Sequence, residues 1–105
     1  MQLGMVGLGR MGANMTRRLM KDGHQCVVYD PSESAVRSLA ERGATGAASP
    51  VDLLSKLSAP RVVWIMIPAG AVDGLLGTLQ PALRATDIVI DGGNVHYVDD
   101  IRRSG

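Results

Sequence analysis

The chain has 105 residues, 46% of them apolar, with 11 Lys and Arg set against 10 Asp and Glu for a formal net charge of +1. Its length suits one domain of about 100 to 150 residues, its charge lacks the basic face that a nucleic-acid partner needs, and no apolar run approaches the roughly 20 residues that cross a bilayer. No basic leader precedes an apolar stretch and no small-residue cleavage site follows one, so the expected location is the cytoplasm. Cys26, the single cysteine, can form no internal disulfide and reads as a small buried hydrophobe within a strand.

In chain order, the apolar run at residues 3–6 predicts a strand, and Gly7-Leu8-Gly9-Arg10-Met11-Gly12 follows it directly. In such a G-x-G-x-x-G turn the first glycine allows the tight bend, the second lets backbone approach a pyrophosphate, and the third lets the next helix pack against the strand. Met11, Met15 and Leu19 recur every four residues and Gly23 can end a helix, which predicts a helix over residues 11–22. A second apolar run, 26–29, ends on Asp30. Pro31 fixes the chain direction, and Ser32 can cap a helix to about Arg42 with Ala35, Val36, Leu39 and Ala40 inward and Gly43 closing it.

Residues 44–47 are at most a short third strand. Ser49 and Asp52 around Pro50 mark a helix start with a capping-box acid, Leu53, Leu54 and Leu57 its buried side, and Pro60 its end. Residues 62–67, continuously apolar, predict a central parallel strand that stops at Pro68-Ala69-Gly70. Over 71–83, Val72, Leu75, Leu76 and Leu79 keep helical spacing, but Gly74, Gly77 and Pro81 predict a weak helix in two pieces. A buried strand over 87–91 precedes Gly92-Gly93-Asn94, and a last helix is expected from about Tyr97. The alternation is that of a Rossmann-type α/β fold, a doubly wound parallel sheet. If no further strands follow, 87–91 is left as an exposed edge, so the chain is expected to self-associate through Ile88, Val89 and Ile90 or by exchange of the helix from about Tyr97, the alternative being that the residues after Asn94 fold back over the edge.

Asp30 lies 18 residues past Gly12, near the spacing of about 20 at which an acid meets the adenosine ribose. A carboxylate there accepts from the ribose hydroxyls and repels a 2′-phosphate, so the expected cofactor is NAD, with NADP less favoured. As a helix cap, Asp30 would instead be structural. Asn94 follows a strand's carboxyl end and reads either as a substrate contact or as a turn residue. His24 reads as surface, and neither it nor His96 has a metal-ligand neighbour at suitable spacing. Asp99 and Asp100 are adjacent and would face apart on a helix. Arg17, Arg18 and Lys21 read as a solvated helix face, and Met5, Met11, Met15 and Met20 as core filler, with Met11 able to cover a pyrophosphate.

The run Met5-Val6-Gly7-Leu8-Gly9-Arg10-Met11-Gly12-Ala13-Asn14-Met15 resembles the opening of the β-hydroxyacid dehydrogenases. Asn14, Ala69-Gly70 and Asp91-Gly92-Gly93-Asn94 resemble most closely the decarboxylating 6-phosphogluconate dehydrogenase branch, whose place is in the pentose phosphate pathway. The resemblance covers all 105 residues and implies most of an N-terminal cofactor domain. It implies cofactor contacts from Gly7, Leu8, Gly9, Arg10, Met11, Gly12, Asp30, Met66, Ile67, Pro68, Ala69, Val72 and Asn94, with Asn94 also touching the sugar acid. It further implies that the catalytic lysine and glutamate, and an all-helical domain that drives dimerisation, lie outside these residues; none of the 105 is itself expected to be catalytic. Three departures stand out. Val95 replaces the family's usual serine, Pro68 a lysine common in NADP-using members, and Asp30-Pro31-Ser32 their Asn-Arg-Thr.

The leading expectation is the NAD-binding domain of an oxidoreductase acting on a sugar acid, in a homo-oligomer with no metal, nucleic acid or membrane partner. A smaller β-hydroxyacid such as hydroxyisobutyrate is the alternative within the enzyme class, and a non-catalytic nucleotide sensor is the alternative outside it.

Overall fold

In the computed structural model, which describes residues 2–58, 61–91 and 94–97, strand β1 (Gln2–Val6) runs through the Gly-rich turn into helix α1 (Arg10–Lys21). There follow β2 (Gln25–Tyr29), α2 (Glu33–Ala40), β3 (Thr45–Gly46), α3 (Pro50–Ser55), β4 (Val62–Ile65), α4 (Ala69–Leu79), β5 (Ile88–Asp91) and β6 (Asn94–Tyr97). They form one sheet of order β3-β2-β1-β4-β5-β6. The first five strands are parallel, and β6 alone is antiparallel. The doubly wound Rossmann-type expectation holds for strand order and for the parallel strands.

The continuous apolar character of the strands has a simple cause. Successive side chains of a strand point to opposite faces, and here both faces are covered. Met5, Cys26 and Val28 pack on one side with Leu39 of α2 and partly buried Met15, Leu19 and Met20 of α1. Val6, Val27, Val63, Ile65 and Val89 pack on the other with Leu53 and Leu54 of α3 and with Val72 and Leu79 of α4. Ser32 and Ser49 cap as expected: each side-chain oxygen accepts a backbone N–H, from Ala35 at 3.4 Å and from Asp52 at 3.0 Å. Asp52 reaches one residue further back than a capping box requires, accepting from the Ala48 N–H at 2.8 Å. That bond, with the Lys56 ammonium beside it, holds the Asp52 carboxyl below the usual range.

Several expectations need correction. Helix α3 ends at Ser55 rather than running to Pro60, which lies outside the described residues. Strand β4 stops at Ile65, two residues short of the apolar run. Helix α4 starts at Ala69 and is unbroken through Gly74 and Gly77 to Leu79, after which Gln80–Ala82 form a 3₁₀ turn around Pro81. Burial of Val72 and Leu79 against the sheet outweighs the glycine cost of about 1 kcal/mol each.

The largest correction is at the C-terminal end. Tyr97, where a helix was expected to begin, closes a strand instead, and β6 pairs with β5 from Ile88↔Tyr97 to Asp91↔Asn94; the rest of that expected helix lies outside the described residues. Strand β5 is therefore not an exposed edge. Only Gly92 and Gly93 separate the two strands, too few for a crossover helix and enough for a hairpin.

At the opposite end of the sheet from the Gly-rich turn lies a feature that the sequence pattern did not disclose. Arg61, just before β4, and Asp87, just before β5, are both buried. The Arg61 Nε–H donates to Asp87 at 3.1 Å and Nη2 at 2.6 Å, while Nη1 donates to the Leu54 carbonyl at 3.3 Å and Nη2 to the Ala82 carbonyl at 2.7 Å. Asp87 accepts also from the Arg84 N–H at 2.8 Å. One ion pair thus ties together the end of α3, the 3₁₀ turn and the entries to two strands. Burial alone would raise the Asp87 carboxyl, but the hydrogen bonds from Arg61 and Arg84 outweigh it and hold the group below its ordinary value.

Breaking a buried pair by removing one partner costs about 3–5 kcal/mol, because the other charge stays behind. Asp87→Asn should therefore lose about that much in urea unfolding. Because the folded carboxyl is depressed, its contribution is present above the unfolded value of about 4 and fades as pH falls through the lower folded value. The stability difference between wild type and Asp87→Asn should shrink correspondingly at acid pH.

Candidate functional site

The strand order turns back between β1 and β4: from β1 the chain moves outward to β2 and β3, then returns to β4 on the other side. In open α/β sheets, ligands bind at the carboxyl ends of the strands at such a switch point. Three stretches meet there in this chain: the Gly-rich turn after β1, Asp30 after β2, and Met66-Ile67-Pro68 after β4.

The turn is set by close approach. Gly7 has φ +97°, a conformation that favours glycine, and a Cβ on it would lie 2.6 Å from the Met66 carbonyl oxygen. A Cβ on Gly12 would collide with the Gly7 carbonyl oxygen, so α1 can start this near β1 only with glycine at that position. Gly9 differs from both. It is the N-cap of α1, with no side-chain capping bond, and a Cβ there would meet nothing within 4 Å.

Helices α2 and α3 have serine caps, whereas α1 opens with no capping side chain and no acid in its first turn. Its free N–H groups and positive dipole end therefore face open space. A helix start of this kind suits an anionic oxygen group.

Two clefts meet at this turn. One, of about 480 Å³, is lined by Gly7, Gly9, Asp30, Pro31, Ile67, Pro68, Ala71 and Leu75 among others. The other, of about 460 Å³, lies along Gly9, Arg10, Met11, Gly12, Met66 and Ile67. Gly9, Met66 and Ile67 belong to both, so the uncapped helix start sits between an apolar cleft and a second cleft next to Met11.

Asp30 is half-buried at the rim of the first cleft. Its Oδ2 accepts the Leu8 N–H at 2.7 Å and its Oδ1 the Ser32 N–H at 2.8 Å. The second bond is a local turn contact; the helix cap that competed with ribose recognition falls to Ser32 instead. The first is long-range and reaches into the Gly-rich turn. Each oxygen keeps further lone-pair capacity for a hydroxyl donor.

The remaining candidates divide clearly. Leu8 contributes its backbone only, since its side chain is buried under α1 and α2. Arg10 and Met11 are exposed at the helix start, Met11 at 72% of its surface. Val72 is buried in the core, and Ala71 and Leu75 of the same helix line the cleft instead. Ala69 begins α4, and its side chain is outside the described set. Asn94 begins β6 opposite Asp91, which places its backbone at the same carboxyl edge.

Tyr29, Pro31, Ala71 and Leu75 line the first cleft without having been singled out as contacts. Tyr29 could have been found as the last residue of its strand, and Leu75 from its spacing to Ala71 on one helix face.

His24, expected at the surface, is half-buried with an Nδ1 that has no hydrogen-bond partner. Burial pushes the Cys26 thiol up, away from nucleophile chemistry. Among the described residues no group of His, Cys, Asp and Glu could hold a metal ion, and no helix is long and apolar enough to cross a membrane. Asp99 and Asp100 lie outside the described residues.

Residues 2–105 match the family model described as the NAD binding domain of 6-phosphogluconate dehydrogenase. The chain is 45% identical over 105 residues to an NAD(+)-dependent, decarboxylating 6-phosphogluconate dehydrogenase of Haloferax volcanii, covering 99% of this chain and 35% of that protein. It is 43% identical over 107 residues to decarboxylating 6-phosphogluconate dehydrogenase 2 of Saccharomyces cerevisiae, covering 96% of this chain and 22% of that one. Among solved structures, a Streptomyces aurantiacus imine reductase superposes with a TM-score of 0.74 at 26% identity, over 87% of this chain and 31% of its own. The chain thus spans about a third or less of the length of these relatives.

Gly9 and Gly12 should respond differently to one added methyl. Gly12→Ala should destabilise the fold by about 1–3 kcal/mol or more, as overpacking against backbone does. Gly9→Ala should keep stability within about 1 kcal/mol, the usual cost of an N-cap change, while weakening NAD binding. Thermal unfolding and calorimetric titration of both variants check this, and loss of NAD binding without loss of stability at Gly12 would contradict the packing argument.

Proposed function

We propose, because this chain belongs to the family of NAD-binding domains of 6-phosphogluconate dehydrogenase, that it is the cofactor-holding part of an enzyme that oxidises and decarboxylates 6-phosphogluconate. The observation that carries the reading is the open, uncapped start of α1 at Gly9, beside a carboxylate at Asp30 and between two clefts. This arrangement fits a dinucleotide: a site for an anion in the middle, with room on both sides.

When bound, NAD supplies the hydride acceptor. The chain's own residues bind and orient. The first-turn N–H groups of α1 take the negative charge of the pyrophosphate. Asp30 accepts from the adenosine ribose hydroxyls and repels a 2′-phosphate, and Pro31, Ile67 and Leu75 offer an apolar wall for the base. Asn94, on the β6 side of the same edge, is assigned to the substrate. No acid or base is assigned within these residues. The lysine and glutamate that handle protons are assigned to the all-helical part of the intact protein, which also carries the contacts between subunits.

An imine reductase sharing this fold at 26% identity indicates that the cofactor domain alone does not select the substrate. The decisive assay is therefore on the intact protein: NADH appearance with 6-phosphogluconate, against hydroxyisobutyrate as the competing β-hydroxyacid. Turnover of 6-phosphogluconate with release of carbon dioxide is expected. The 105 residues by themselves should bind NAD and produce no NADH. Calorimetry should show NAD bound at least about tenfold more tightly than NADP, since a charge conflict at the 2′-position costs more than 1 kcal/mol. Equal affinities would remove Asp30 from its assigned role.

A further inference from the structure

We infer that Asp30 is also a positioning residue for the anion site: its carboxylate holds the Gly-rich turn in its binding conformation before any ligand arrives. This inference rests on the proposed NAD reading and deepens it. The observation is the 2.7 Å hydrogen bond from the Leu8 N–H to Asp30 Oδ2, which spans 22 residues and joins the ends of β1 and β2. The other oxygen is fixed independently, by the Ser32 N–H at 2.8 Å. The carboxylate is thereby anchored at the start of α2 and bridges to the turn that opens α1.

Apart from the Leu8 side chain, which is buried under α1 and α2, little else holds the middle of that turn. Gly9 touches nothing on its open side, and α1 has no side-chain cap. Gly7 is held by its own N–H on the Tyr29 carbonyl at 2.9 Å and Ala13 by its N–H on the Gly9 carbonyl at 2.9 Å. Leu8 lies between these points, and Asp30 accepts its amide. A charge-assisted bond to a backbone amide is stronger than a neutral one, and a turn held in advance need not be ordered when the ligand binds. The group assigned to the ribose would thus also prepare the site for the pyrophosphate.

Inorganic pyrophosphate separates this role from ribose recognition, because it has no ribose. If Asp30 were only a ribose acceptor, removing its negative charge near an anion site would leave pyrophosphate affinity unchanged or tighten it. The positioning role predicts the opposite sign. In the intact protein, Asp30→Ala should bind pyrophosphate about fivefold more weakly than wild type, the scale of one hydrogen bond, and exchange of the Leu8 amide should accelerate. Asp30→Asn, which keeps one acceptor oxygen, should recover pyrophosphate affinity to the extent that it keeps the Leu8 amide protected.

Unchanged or tighter pyrophosphate binding in Asp30→Ala, or an equally protected Leu8 amide, would overturn the inference. Failure of wild type to bind NAD would overturn the proposed function instead, and the Leu8 exchange rates would still decide the positioning role.

Discussion

The absence of a side chain at Gly12, where any Cβ would collide with the Gly7 carbonyl, is the constraint on which the rest of the site depends. It permits α1 to begin almost in contact with the end of β1, so the helix axis starts at the carboxyl edge of the sheet. From that follows the direction of the helix dipole, the opening of uncapped N–H groups at Gly9 and the meeting of two clefts at one point. A helix that started further away would need a longer turn, and its first-turn donors would not point into the crevice between β1 and β4. The absence of a Cβ thus acts twice here, once as packing and once as an electrostatic arrangement.

The two ends of the sheet divide the work. At the carboxyl end, polar backbone is left facing space, which is costly unless water or a ligand satisfies it. At the other end, the Arg61 guanidinium and the Asp87 carboxylate consume each other and three backbone groups, with almost no surface exposed. A buried pair of this kind need not be more stabilising than apolar residues would be. What it does is tie geometry together: β4 and β5 enter the sheet from points held by one planar group and pair in register from Val62↔Ile88 to Ile65↔Asp91.

Much of this was legible in residue patterns, for identifiable reasons. Glycine spacing, serine caps and apolar runs are local signals: Gly7 to Gly12, Ser32 and Ser49 took the places their local chemistry pointed to, and the run 62–67 formed a strand over its first four residues. What was not legible depended on partners distant in sequence. Arg61 and Asp87 look like ordinary surface charges until the fold brings them together across 26 positions. The glycines of α4 argued against a continuous helix, because burial of Val72 and Leu79 is not visible in propensity. Strand β6 was misread as loop and helix although Gly92-Gly93 ahead of Val95, His96 and Tyr97 is a hairpin pattern; four residues give period two little chance to show.

Strand β6 also changes how the sheet ends. A parallel β5 without a neighbour would present a row of unpaired backbone groups on a buried-type strand, a template for another chain. Among the described residues β6 occupies that side of β5 and satisfies its backbone within the chain. Its pairing places Asn94 opposite Asp91, at the carboxyl edge of the sheet. Closing the edge and bringing Asn94 to the binding edge are therefore one structural event. A substitution that lengthened or stiffened the two-glycine link would be expected to affect both together.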